Sequence, residues 1–189
     1  MDRSKLKKLL LAEVNHYLGL PYFINSAKNP HQRLAVQVGK GNWRQIEKYT
    51  KKLKPDSSQN LYNFQKKNKI GIDCSGLVYH LLDFLYQQTH HQSIRSKLIG
   101  TDGKTGPRRL SANLLTSPPN AISISPDQVV QTGDLIRSQN GHHIMLVVDK
   151  TIKGLKVVDC SRRSRGVKIS FLSLPLSSSS KTSFHRLKV

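Results

Sequence analysis

Apolar positions along the chain fall into two textures, one with a helical period and one of short β-type runs broken by turn residues. Over residues 3–18, Leu6, Leu9, Leu10, Val14 and Leu18 recur at helical intervals with lysines on the other face, which predicts an amphipathic helix. Gly19 and Pro21 stop it. A second stripe, Leu77, Val78, Leu81, Leu82 and Leu85, predicts a helix from about Cys74 to Gln88, and Asp73 stands where its N-cap belongs. Between the two, residues 30–69 are polar and basic. One patch there, "NWRQIEKYTKKLK", predicts a short helix around Trp43, Ile46 and Tyr49.

From Val129 the texture changes. The runs "VVQTGDLIRS", "HHIMLVVDK", "LKVVDCS", "GVKISFL" and "SFHRLKV" are short, β-rich and separated by turn residues, which predicts an antiparallel meander. Residues 89–128 read as loop, with the turn clusters "TDGKTGPRR" and "TSPPNAISISPDQ", and Ser177–Ser180 as a flexible connection. Helices come first and strands second. The layout is α+β, with N-terminal helices, one of them bearing Cys74, packed on a C-terminal antiparallel sheet. No internal repeat interrupts it, and 189 residues suit a single domain spanning 1–189.

Charge changes this picture more than composition does. Lys and Arg number 31 against 11 Asp and Glu, for a net of +20. That excess implies a polyanionic partner or surface, such as an anionic cell-wall polymer, a phospholipid headgroup layer or nucleic acid. The alternative is a solvated basic surface that serves solubility. Aromatics are few and do not interleave with the lysines as a nucleic-acid stacking platform needs. Nucleic acid is therefore the less favoured partner. No run approaches a membrane span. The start "MDRSKLKKLLLAEV" is too short in apolar residues for a secretory signal. Export by the general secretory route is therefore not expected unless a leader has been removed, and the location is left open: cell envelope or secreted for a cell-wall substrate, cytoplasmic otherwise.

The candidate chemistry begins at "GIDCSGLVYHLLDFLY", residues 71–86. Cys74 is one of two cysteines, and a lone cysteine is most simply a small buried hydrophobe. A thiol in the first turn of a helix also feels the partial positive charge and free N–H groups of that end, which favours thiolate. The same N–H groups can hold an oxyanion. A nucleophile needs a base, and "NGHHIMLVVD" offers two histidines at the start of a β-type run. Alternation places His143, Met145 and Val147 on one face and His142, Ile144, Leu146 and Val148 on the other. The base needs an orienting group. Asp159 of "LKVVDCS" sits among apolar residues, where an unpaired carboxylate is costly. Cys160 points the other way and reads as packing. No Cys-x-x-Cys and no suitably spaced histidine suggests zinc. His90 and His91 read as solvent-facing. No metal and no cofactor is expected.

At these residues the chain resembles a family. "IDCSGLVYHLL" matches the nucleophile motif of the NlpC-type papain-like cysteine peptidases of bacterial cell walls. "TGDLIRSQNGHHIMLVVD" resembles their Gly-Asp-Leu segment and the histidine strand that follows. "LKVVDCS" corresponds to the strand bearing the third polar residue, and "YLGLPY" to the segment whose tyrosine lines the site. The motifs also come in the family's order, over roughly 5–25 and 70–172. The resemblance implies a papain-like fold and a triad of Cys74, His143 and Asp159. It implies further that Tyr22, Asp73 and Ser75 contact substrate, Asp73 and Ser75 at its acyl-side residue, and that the substrate is a peptidoglycan stem peptide cut near a D-glutamyl bond.

The chain departs from the pattern where a basic insertion, about 26–69, replaces a short turn beside the cleft. Asp159 also stands where the family often has histidine. Three other outcomes remain open: an inactive relative on the same fold, an amidase or acyltransferase acting on another amide, and a non-catalytic basic module.

Overall fold

The computed structural model describes residues 2–23, 34–100, 110–125, 130–138, 141–174 and 182–188. The turn cluster 101–109 and the Ser177–Ser180 connection lie outside them. The chain is mixed α+β, with helices in its first part and a six-stranded antiparallel sheet in its second. Helix α1 spans Arg3–Asn15 and is capped by Asp2. Helix α2 spans Trp43–Lys52 under an Asn42 cap, and α3 spans Leu61–Lys67 under an Asn60 cap. The polar texture of residues 53–69 hid α3, because only Phe64 and Gln65 of its residues are buried.

Helix α4, Cys74–His90, is the central helix. It starts where the cap signal put it, since the Asp73 side chain accepts from the Gly76 amide at 2.7 Å. Its stripe is buried: Leu77, Val78, Leu81, Leu82 and Leu85 are at most 7% exposed. Burying each such side chain contributes roughly 1.5–3 kcal/mol. Leu10, Val14 and Tyr17, from α1 and the turn after it, pack against that stripe. No helix among the described residues is long and apolar enough to cross a membrane.

The strands are β1 Ala121–Ile124, β2 Leu135–Ser138, β3 His143–Thr151, β4 Gly154–Ser161, β5 Gly166–Ser173 and β6 Ser183–Leu187. Their order across the sheet is β1-β6-β2-β3-β4-β5. The expected meander holds for β2 to β5. The last strand, however, returns beside β2, and β1 pairs outside it. β1 lies within the stretch expected to be loop. Its four residues lie on the edge of the sheet with a buried-exposed-exposed-buried pattern, so no alternation marks them. Ile144, Leu146 and Val148 of β3 join the helical core. Val147 joins a second core on the other face with Ile136, Leu155, Val157 and Phe184.

Three strands of backbone converge just before Cys74 and position the site. The Ile72 amide donates to the Pro21 carbonyl at 3.0 Å, and Phe23 N–H donates to the Ile72 carbonyl at 3.1 Å. On the other side the Asp73 amide donates to the Gly39 carbonyl at 2.9 Å. Tyr22 and Lys40 thus flank Ile72 as isolated bridge partners. The approach requires glycine at 76, where a Cβ would come within 2.5 Å of the Gly39 carbonyl oxygen. The glycine of "Cys-Ser-Gly" therefore has a packing reason.

Candidate active site

Cys74 is the first residue of α4 and 8% exposed, at the wall of a cleft of about 330 Å³. Tyr22, Lys40, Asp73, Ser75 and His142 also line that cleft. The amides of Gly76 and Leu77 are taken by Asp73. Those of Cys74 and Ser75 have no acceptor among the described residues, so two donors at the positive end of a long helix remain for a ligand oxygen.

His143 is the first residue of β3 and 7% exposed, whereas His142 is exposed. Its Nε2 lies 2.7 Å from Asp159 Oδ1, and the Cys74 sulfur is among the groups close enough to shift its pKa. By phase, His143 and Asp159 share the sheet face of Val147 and Val157, opposite the helical core. Strand phase alone would have sent His142 toward the helices. His143 reaches Cys74 because it opens its strand as Cys74 opens its helix, so both lie at element ends.

The Nε2 to Oδ1 contact is short but off-axis. Oδ1 is buried and accepts no aligned hydrogen bond, while Oδ2 accepts from Ser161 Oγ at 3.2 Å. Burial works to lower the pKa of His143. Close contact with Asp159 and the charges of Asp159 and Cys74 outweigh it and raise the value to about 9. Burial likewise works to raise Asp159, and contact with His143 wins and holds that carboxyl below its ordinary value. At neutral pH the ring is therefore a cation between an anionic carboxylate and the sulfur. Tyr22 is pushed up to about 12, by burial first and then by the charge at Cys74, so its hydroxyl stays protonated.

Asp73 and Ser75 line the cleft, and both are already engaged. Lys40 Nζ donates to Asp73 Oδ1 at 2.7 Å, to Ser75 Oγ, and to the Leu110 carbonyl at 2.8 Å. It lies 2.7 Å from Asp73 Oδ2 as well. This wall is an internally paired cluster, not a free carboxylate. Lys40 is the residue that sequence reasoning missed. By sequence it belongs to the polar, basic stretch 30–69, yet it is 3% exposed. The signal was "VQVGKGNW", a lysine between two glycines after buried valines.

Asp134 of the Gly-Asp-Leu segment does not reach the cleft. It is fully buried, caps its own turn through the Gln131 amide at 2.8 Å, and binds Arg186 at 2.7 and 2.8 Å. Cys160 is fully buried in the helical core, where its thiol donates to the Ile72 carbonyl at 3.1 Å, and both cysteines are free thiols. His90 and His91 are exposed, and the His90 ring stacks on Tyr86. No group of three or more metal-ligating side chains gathers among the described residues.

Two hollows of about 500 and 550 Å³ flank α2 and are larger than the cleft, but neither is lined by a cysteine. Neither a family model, nor a curated protein, nor a solved structure matches the chain.

Proposed function

We propose that the protein is a papain-like cysteine hydrolase of the NlpC type, cleaving an amide bond in a peptidoglycan stem peptide. The observation that supports this reading most is the meeting of Cys74, His143 and Asp159 beside two unused amides. These are the parts that amide acyl transfer needs: a nucleophile, a proton shuttle, an orienting anion and oxyanion donors.

The sequence of events follows from those parts. The Cys74 thiolate attacks the scissile carbonyl carbon, and the amides of Cys74 and Ser75 take the negative oxygen. The His143 imidazolium gives its proton to the leaving nitrogen as the C–N bond breaks, leaving a thioester. A water then loses a proton to His143 and attacks the thioester. The tetrahedral adduct expels the Cys74 thiolate and releases a carboxylic acid. Asp159 fixes the ring and stabilises its cationic form throughout. The basic surface holds the enzyme on an anionic envelope.

A second substrate on the same chemistry is favoured by one observation, the Lys40 ammonium already filling the Asp73–Ser75 wall. A wall so occupied suits an acyl group other than the family's, as in an amidase or acyltransferase. Incubation with purified stem peptides and with a panel of other amides, followed by mass spectrometry, decides between them. The expected result is hydrolysis at one amide in the stem peptide by the wild type and none by Cys74→Ala. Cleavage confined to another amide transfers the assignment to the second substrate. Undiminished cleavage by Cys74→Ala overturns both.

A further inference from the structure

Beyond the cleft, the same tyrosine walls a second hollow. Tyr22 lines the cleft on one side, and on the other it joins Tyr62, Asn63, Lys66, Arg162 and Arg165 around a space of about 440 Å³. Two separate segments build this space. Tyr62, Asn63 and Lys66 come from α3, within the basic stretch that the sequence left without a role. Arg162 and Arg165 come from the turn between β4 and β5. The Tyr62 hydroxyl donates to the Arg165 carbonyl at 2.6 Å and ties one segment to the other.

The turn itself is held in shape. Ser161 and Ser164 exchange side-chain and backbone hydrogen bonds at 2.8 and 3.1 Å, and Arg165 sits in the left-handed region at φ 60°. Ser161 Oγ also donates to Asp159, so the arginine-bearing turn is built on the carboxylate that faces His143. The lining carries Lys66, Arg162 and Arg165 and no carboxylate. None of these three cations has an ion-pair partner among the described residues. Converging unpaired cations in a hollow repel one another and gain by taking up an anion, most of all one that accepts the fork of an arginine.

We propose that this second pocket binds an oxyanion group, a carboxylate or a phosphate, of the molecule whose amide is presented to Cys74. The inference rests on the hydrolase reading for its link to substrate. It also gives α3 a purpose, that of supplying half of an anion site one tyrosine away from the nucleophile. The substrate class is then an amide with an anionic extension on the Tyr22 side.

Isothermal titration of the full chain with pyrophosphate and with citrate, at moderate salt, tests the site apart from catalysis. Lys66→Gln with Arg162→Gln keeps side-chain bulk at exposed positions and removes two charges. Lys153→Gln with Lys156→Gln removes two exposed charges elsewhere. The expected result is saturable binding that weakens at least tenfold in the first double variant and less than twofold in the second. Cys74→Ala binds as the wild type does. The tighter of the two probes says whether the group is phosphate or carboxylate. Equal losses in both double variants, or no binding by the wild type, overturns the site and leaves the Cys74 chemistry untouched. In hydrolysis assays pyrophosphate should raise the KM of the wild type and not that of the Lys66/Arg162 variant. An unchanged wild-type KM overturns the link to substrate.

Discussion

Cys74 and Cys160 are both free and both buried, the first two residues after Ile72 and the second bonded to its carbonyl, yet their surroundings differ in nearly every respect. Cys74 opens a helix, faces a cleft and lies beside an imidazole held cationic by Asp159. Cys160 is mid-core on β4, sealed by aliphatic side chains, and its thiol is tied to a backbone carbonyl. Burial, with the charges of Asp73 and Cys74 behind it, pushes the Cys160 thiol well above its ordinary value. Burial alone therefore does not decide what a cysteine does. What decides is whether charge of the opposite sign is positioned at the sulfur.

The sharpest way to break the comparison is to remove each sulfur in turn. Cys74→Ala and His143→Ala should each lower kcat by about 10⁴-fold or more in an amide-hydrolysis assay, and Cys74→Ala should do so with little change in thermal stability. Cys160→Ala should leave kcat within about threefold and cost about 1 kcal/mol of stability by denaturant titration. A Cys160 variant that loses activity while staying folded would erase the distinction.

The next largest effect concerns Lys40, which braces the Cys74 side and has no counterpart at Cys160. Lys40→Met leaves the Asp73 carboxylate at the helix cap without its cation. Breaking one half of such a pair costs about 3–5 kcal/mol, to be read as a lowered denaturation midpoint. A fully stable Lys40→Met chain would show that the cluster around Asp73 is not a brace. Asp159→Asn should follow, with a loss of about 10²-fold or more in kcat and little change in KM, because the amide cannot stabilise the cationic ring.

Smallest is the pH effect on stability. The value of His143 is raised from 6.5 to about 9 in the folded chain. Its contribution to stability is full below pH about 6.5 and is lost as pH rises through about 9. Asp159 is lowered, so its contribution is present above its ordinary value of 3.8 and is lost as pH falls through the depressed one. His143→Gln should flatten the alkaline decline in denaturation midpoint seen in the wild type. An identical slope in both would place the decline elsewhere.

Much of this was legible in the chain because it is local. The period of Leu77 to Leu85 and the Asp73 cap are short-range signals, and α4 begins where they put it. The runs around β3, β4 and β5 likewise declare themselves as short β-rich stretches bounded by turn residues. β1 was not legible, because a four-residue edge strand has too few inward positions to show a period. Nor was Lys40, whose burial depends on two backbone segments meeting on either side of Ile72. The choice between His142 and His143 lay beyond periodicity too, since the first residue of a strand is placed by its turn as much as by its face. The resemblance to a family motif, and not alternation, makes His143 the candidate base.

The proposed hydrolysis requires that Cys74 react as a nucleophile beside His143 while Cys160 stays a protonated core thiol. Iodoacetamide labelling of the native chain across pH 5 to 9, with each cysteine quantified by peptide mass spectrometry, tests it directly. Cys74 should be labelled at pH 6 at least about tenfold faster than Cys160 or than an ordinary free thiol. His143→Ala should abolish that advantage at acid pH, and Cys160 should remain unlabelled until the chain is unfolded. Labelling of Cys74 that rises with pH as an ordinary thiol's does, with the same profile in wild type and His143→Ala, would contradict the account.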